Sequence, residues 1–224
     1  MIDYKKHLNA AQYEAVNFDQ GPLLVIAGAG SGKTRTLTYR VARLVESGTP
    51  PHAILLLTFT RRAADEMCRR VETIVRQALR GDGEPAGNGG VLTWSGTFHS
   101  VANRLLRRYA NNLDLDPGFS ILDRGDAADL MDVVRHELGL SGKARRFPKK
   151  DTCLAIYSRT VNARLSLADA LHETFPWCAD WEVELRQLFR GYVEQKQKNQ
   201  ALDYDDLLLY WHHLVADAEF ASID

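Results

Sequence analysis

Ala27-Gly28-Ala29-Gly30-Ser31-Gly32-Lys33-Thr34 is the stretch that decides the fold of this chain. It follows a short apolar run, Leu23 to Ile26, that reads as a buried strand. It precedes a helical pattern with apolar residues at Leu37, Val41, Leu44 and Val45. Strand, glycine-rich turn and helix in that order are the context that a phosphate-holding loop requires. Glycines let successive backbone N–H groups turn inward around a phosphate, and the helix N-terminus behind them adds its positive dipole end. Lys33 can then reach the β- and γ-phosphates of a nucleotide, while the Thr34 hydroxyl ligates the Mg²⁺ that bridges them. Gly28, Ala29, Gly30, Ser31 and Gly32 supply the cradle. The Gly-Lys-Thr ending separates the stretch from an ordinary strand-to-helix turn. One position departs from the strict pattern: Ala27 stands where glycine is usual, so its φ must suit an alanine.

Outward from the loop, Pro50-Pro51 ends the helix, and Ala53 to Phe59 is a second continuous apolar run, as expected for a strand covered on both faces. Thr60 caps a long helix whose stripe runs Ala64, Met67, Val71, Ile74, Val75, Ala78. These units make a βαβ arrangement and predict an α/β fold with a parallel sheet. Phe59 ends its strand between Thr58 and Thr60, at the edge where such sheets collect ligands. Burial statistics for phenylalanine favour a core role, and the alternative is a stacking platform for an unpaired base. Val91 to Ser95 reads as a third strand, and Gly96-Thr97-Phe98-His99 leads into a helix. Upstream, Leu8 to Val16 reads as a short helix capped by Asn9. Gln12 sits at the capping-box position, but its amide could also read the edge of an adenine.

Composition narrows the function classes. Lysine and arginine number 28 against 29 aspartates and glutamates, so any nucleic-acid contact must come from a local groove and not a global basic field. The positive charge concentrates between residues 61 and 108. The three cysteines, Cys68, Cys153 and Cys178, lie far apart without metal-ligand spacing, which suits a reducing compartment. No apolar run approaches the twenty or so residues of a membrane span; a cytoplasmic protein without membrane contact is expected. Gly81 to Gly90 reads as a surface loop. From about Asn111 the character turns helical, through 129–138, 154–165 and 183–197, and predicts an inserted all-helical subdomain. Its basic cluster Lys143 to Lys150 reads as a solvated loop or a contact for a nucleic-acid backbone. Leu202-Asp203-Tyr204-Asp205-Asp206-Leu207-Leu208-Leu209 opens a last helix, whose carboxylates suit the dipole or, less simply, a metal.

Taken together, Leu8-Asn9 with Gln12, AGAGSGKTR (27–35), LTFTRRAADEM (57–67), GTFHS (96–100) and LDYDDLLL (202–209) resemble the N-terminal part of UvrD/Rep/PcrA-type superfamily-one DNA helicases. The resemblance implies a RecA-like P-loop NTPase domain at 1–110, an inserted helical subdomain at 111–200 and a return to the first domain at 201–224. It implies ATP and Mg²⁺ as cofactors, with Gln12 on the adenine and Arg35 packed against its ring. It also implies that Phe59 stacks on single-stranded DNA, that Thr58, Thr60, Thr97 and His99 line the same track, and that the inserted subdomain approaches the duplex at the junction. The implied activity is an ATP-driven DNA translocase moving 3′ to 5′, in DNA repair among other settings.

Hydrolysis needs an apolar strand ending in Asp-Glu. Phe119 to Asp123 is followed by Arg124, and Phe220 to Asp224 carries no Glu. The sequence is therefore read as a fragment that binds nucleotide and DNA without turning ATP over. A self-contained nucleotide and single-strand binding module, a small P-loop phosphotransferase, and the helicase part of a helicase-nuclease are the alternatives.

Overall fold

The structure is a computed structural model that describes residues 2–79, 92–142 and 146–216. The chain divides into two compact units, Met1–Val101 and Ala102–Asp224. The first contains helices α1 (Tyr4–His7), α2 (Ala10–Asn17) and α3 (Lys33–Glu46), strand β1 (Leu55–Thr58), helix α4 (Arg61–Leu79), strand β2 (Trp94–Thr97) and the start of α5 (Phe98–Arg108). Strands β1 and β2 are parallel, with Leu55 opposite Trp94 and Thr58 opposite Thr97. Parallel neighbours require a crossover, and α4 begins that crossover. Apolar residues of α3 and α4 close over the sheet, Val41 and Ala42 meeting Leu56, Met67, Val71 and Val75 in one buried cluster.

Two expected strands are altered. The run predicted at 53–59 is strand only from Leu55 to Thr58, because Pro51–Ala53 forms a 3₁₀ turn. The run predicted at 91–95 is strand at Trp94–Thr97, and Val91 lies outside the described residues, as does the predicted loop at 81–90. The larger correction concerns Leu23 to Ile26. No strand forms there, and Leu24 and Ile26 are 82% and 88% exposed. A strand exists through hydrogen bonds to neighbours, and among the described residues β1 and β2 pair only with each other. The four aliphatic side chains have a strand's composition without a sheet to join.

Polar clamps fix the N-terminal helices on α3. Arg40 donates to the carbonyls of Ala15 and Phe18 at 2.8 and 2.7 Å. Arg43 grips the Asp19 carboxylate with two N–H bonds of 2.6 Å, which hold that carboxyl below its ordinary pKa. Glu46 accepts from the Tyr4 hydroxyl at 2.7 Å and the Ile2 amide at 3.0 Å. These contacts set where α2, and hence Gln12, stands beside the glycine-rich turn.

The second unit is helical around a short parallel pair. Strand β3 (Ser120–Ile121) aligns with β4 (Ala201–Leu202), and helices α6 (Arg124–Glu137), α7 (Lys150–Ala163), α8 (Leu167–Thr174) and α9 (Glu182–Lys198) lie between them in sequence; α10 (Tyr204–Ala216) follows. Each predicted helix appears, with boundaries shifted by a few residues. Helix α8 was not anticipated, although Ser166 caps it by accepting from the Asp169 amide at 3.1 Å. Asp123 and Asp126 form a reciprocal capping box that starts α6. Within the basic cluster, Phe147 is buried in the helical core and the Lys150 ammonium is paired with Asp129. Residues 143–145 lie outside the described residues. That cluster is thus partly an anchor within the second unit.

Candidate nucleotide site and strand-facing edge

The glycine-rich turn has the backbone its composition demands. Gly30 and Gly32 have φ of 76° and 85°, and Gly32 is the N-cap of α3. A Cβ at Gly32 would lie 2.7 Å from the Gln12 amide nitrogen, the movable end of a flexible side chain, so it is the left-handed φ that requires glycine here. Ala27 and Gly28 show no positive φ, which is why alanine is accepted at the first of them. Ser31 closes the turn by donating to the Gly28 carbonyl at 2.7 Å. Lys33 curls back over it, its ammonium donating to the carbonyls of Ala27 at 2.9 Å and Gly28 at 2.7 Å. Thr34 is exposed in the first turn of α3, and its carbonyl accepts from the Thr38 hydroxyl at 2.7 Å.

Gln12 performs more than one task. Its amide oxygen accepts from the Asn9 backbone N–H at 3.2 Å, completing the capping box of α2, and its amide nitrogen donates to the Ser31 carbonyl at 3.0 Å. The capping role read from the sequence is present, and the same side chain touches the phosphate-type loop. Arg35 projects from the exposed side of α3 with its guanidinium 5.8 Å from the Tyr39 ring centre. Gln12, Ser31, Gly32, Lys33, Thr34 and Arg35 are therefore gathered at one end of α3.

The parallel register of β1 and β2 assembles a second group of residues. Thr58 is opposite Thr97, so Phe59 and Phe98 leave the sheet side by side. Their ring centres are 5.8 Å apart and tilted by 47°. Phe59 is 92% exposed, which rules out the core reading of this residue. The hydroxyls beside them organise the helix starts: Thr60 accepts from the Ala63 amide at 3.2 Å, and Thr97 from the Ser100 amide at 3.2 Å. Buried Thr58 donates to the Thr60 carbonyl at 3.0 Å. His99 is half-buried at the start of α5. Phe98 was not predicted for this edge. The available signal was its position directly after Thr97, matching that of Phe59 after Thr58.

The acidic stretch 203–206 divides its carboxylates. Asp203 and Asp206 cap α10 reciprocally, with N–H to carboxylate distances of 2.8 and 3.0 Å. Lys196, 2% exposed, donates to both, at 2.7 and 2.5 Å, while Tyr192 donates to Asp203 at 2.8 Å. The Lys196 ammonium also lies 5.1 and 4.7 Å from the ring centres of Tyr157 and Tyr192. Burial works against the Lys196 charge, but the carboxylates of Asp206 and Asp203 outweigh it and raise the pKa. With two carboxylates for one cation, burial dominates at Asp206 and pushes its pKa up. Asp205 turns elsewhere, accepting from Ser158 and from the Asn162 amide. Among the described residues, no group of three histidine, cysteine, aspartate or glutamate side chains is arranged to hold a metal ion.

Residues 8–222 match the model of the UvrD/REP helicase N-terminal domain. The chain is 36% identical over 206 residues to the ATP-dependent DNA helicase PcrA of Staphylococcus aureus, and 38% identical over 207 residues to that of Staphylococcus epidermidis. Each alignment covers 91% of this chain and 26% of the relative, so the chain spans about a quarter of the length of the curated relatives it matches.

Proposed function

The chain belongs to the UvrD/REP helicase N-terminal domain family, and from that premise we propose that it is the ATP-binding and single-strand-binding part of an ATP-dependent DNA helicase. The observation that carries this reading is the loop itself: a turn with two left-handed glycines at the N-terminus of α3, with the Lys33 ammonium held over it by two carbonyls. With nucleotide bound, Lys33 would turn from those carbonyls to the β- and γ-phosphate oxygens, and the Thr34 hydroxyl would hold Mg²⁺, which would supply charge neutralisation at the phosphates. The second amide N–H of Gln12 meets the adenine, whose ring packs on Arg35. Residues 1–110 form the first part of a RecA-like domain, 111–200 an inserted helical subdomain and 201–224 the return. The parallel pairing of β3 with β4 supports this division, because the chain leaves for α6 and comes back from α9 at neighbouring strands.

Thr58, Phe59, Thr60, Thr97 and His99 form the track for single-stranded DNA, and the inserted subdomain faces the duplex at the junction, with 3′ to 5′ movement. The exposure of Phe59 supports the track, since an aromatic face in water at a strand end costs solvation that stacking on a base recovers. The test is a titration of the 224-residue chain with Mg-ATP beside Lys33→Ala. A charged hydrogen bond is worth about 1.5–3 kcal/mol, so affinity is expected to fall by roughly ten- to a hundredfold. Equal affinity in the two proteins would overturn the reading.

A further inference from the structure

Arginines are concentrated on α4, and the structure separates those already engaged from those that are not. Arg70 and Arg76 each pair with the glutamate four residues earlier, Glu66 and Glu72. Arg62 forms no ion pair among the described residues, and Arg69 bonds only to the carbonyl of Asp65, at 3.2 Å. Both are exposed. They open onto a cavity of about 650 Å³ between α3 and α4, lined by Arg35 and Tyr39 on one wall and by Arg62, Glu66, Arg69 and Arg70 on the other. Four guanidinium groups thus face one glutamate across a concave surface. The bland alternative is a solvated helix face, but that account does not explain a groove walled by arginines from two different helices.

We propose that this groove is a second contact for single-stranded nucleic acid, taking phosphate groups of the strand that stacks on Phe59. The helix that carries the arginines begins two residues after Phe59, so a strand stacked there meets Arg62 within the first turn. Arg69 lies about 10 Å further along the helix axis. Guanidinium groups bind phosphate bidentately and stay charged at every physiological pH. Arg35 and the Tyr39 ring close the opposite side. The inference rests on the single-strand reading of the Phe59 edge, and the experiment separates the two.

The measurement is anisotropy of a labelled oligothymidine across a salt series, on the wild-type chain, Phe59→Ala and the double variant Arg62→Gln/Arg69→Gln. Two lost phosphate contacts make the slope of log affinity against log salt shallower by about 1.4. Phe59→Ala weakens binding while keeping the slope. A double variant with wild-type slope overturns the groove even if Phe59→Ala still weakens binding. No oligothymidine binding by any of the proteins overturns the single-strand reading as well. A parallel Mg-ATP titration separates strand phosphates from those of free nucleotide: the double variant keeps wild-type ATP affinity, and a loss equal to that of Lys33→Ala reassigns the groove to nucleotide and overturns the proposal. Circular dichroism checks the fold, since both positions are exposed.

Discussion

At the scale of single residues, exposure separates binding from folding. Phe59 buries little of its ring, so Phe59→Ala is expected to change stability by less than about 0.5 kcal/mol. Loss of a stacking platform costs about 1–3 kcal/mol per base, so oligonucleotide affinity falls by roughly five- to a hundredfold. Phe98 touches the Phe59 ring and is more buried, so Phe98→Ala lowers both affinity and stability. Anisotropy and urea unfolding of the two variants, run side by side, check the contrast; a Phe59→Ala protein that unfolds easily would contradict it. Phe59 was legible in the sequence only as a pair of alternatives, because a phenylalanine between two threonines looks the same whether its strand end faces a core or water. Gln12 was similarly divided, and one amide accommodates the cap and the loop contact together because its oxygen and nitrogen point to different partners.

At the scale of elements, the second unit depends on a buried charge cluster joining α9 to the start of α10. Lys196→Met removes the cation from Asp203 and Asp206 and is expected to cost about 3–5 kcal/mol, read as a lowered urea midpoint. Replacing all three by apolar or amide groups, Lys196→Met/Asp203→Asn/Asp206→Asn, recovers part of that loss, because no uncompensated charge remains. The raised pKa of Lys196 sets a pH dependence. A folded-state pKa above the ordinary 10.5 contributes stability that is complete below pH 10.5 and is lost as pH climbs through the folded value. Tyr157, pushed up to about 12 mainly by burial, titrates in the same direction. The informative quantity is therefore the difference between wild type and Lys196→Met, which shrinks above pH 10.5; a constant difference would show that the ammonium is not the source. The sequence showed three carboxylates at a helix start, for which the dipole was a sufficient explanation. The lysine lies seven and ten residues earlier, on another helix, and nothing in its own neighbourhood marks it as buried.

At the scale of the whole molecule, the sequence carries the glycine-rich turn with Lys33 and Thr34 but no apolar run that ends in Asp-Glu. The purified chain is expected to bind Mg-ATP without turnover, with or without single-stranded DNA. DNA-stimulated phosphate release that survives contaminant controls and disappears in Lys33→Ala would show that another carboxylate completes the site. By itself the sequence determined the glycine-rich turn, most of the helices and the Asn9 and Thr60 caps, because each depends on contacts within about five residues: φ at Gly30 and Gly32, the cap hydrogen bonds, the 3.6-residue apolar stripes. The tertiary structure alone decided which apolar runs become strands. Ala53 to Phe59 and Leu23 to Ile26 are equally apolar, yet only the first contains a strand, β1. A strand is completed by hydrogen bonds to a distant segment, and the pairing of β1 with β2 spans about forty residues. Likewise, the side-by-side placement of Phe59 and Phe98, the arginine walls facing across α3 and α4, and the burial of Lys196 arise from register and packing between elements, which local periodicity does not encode.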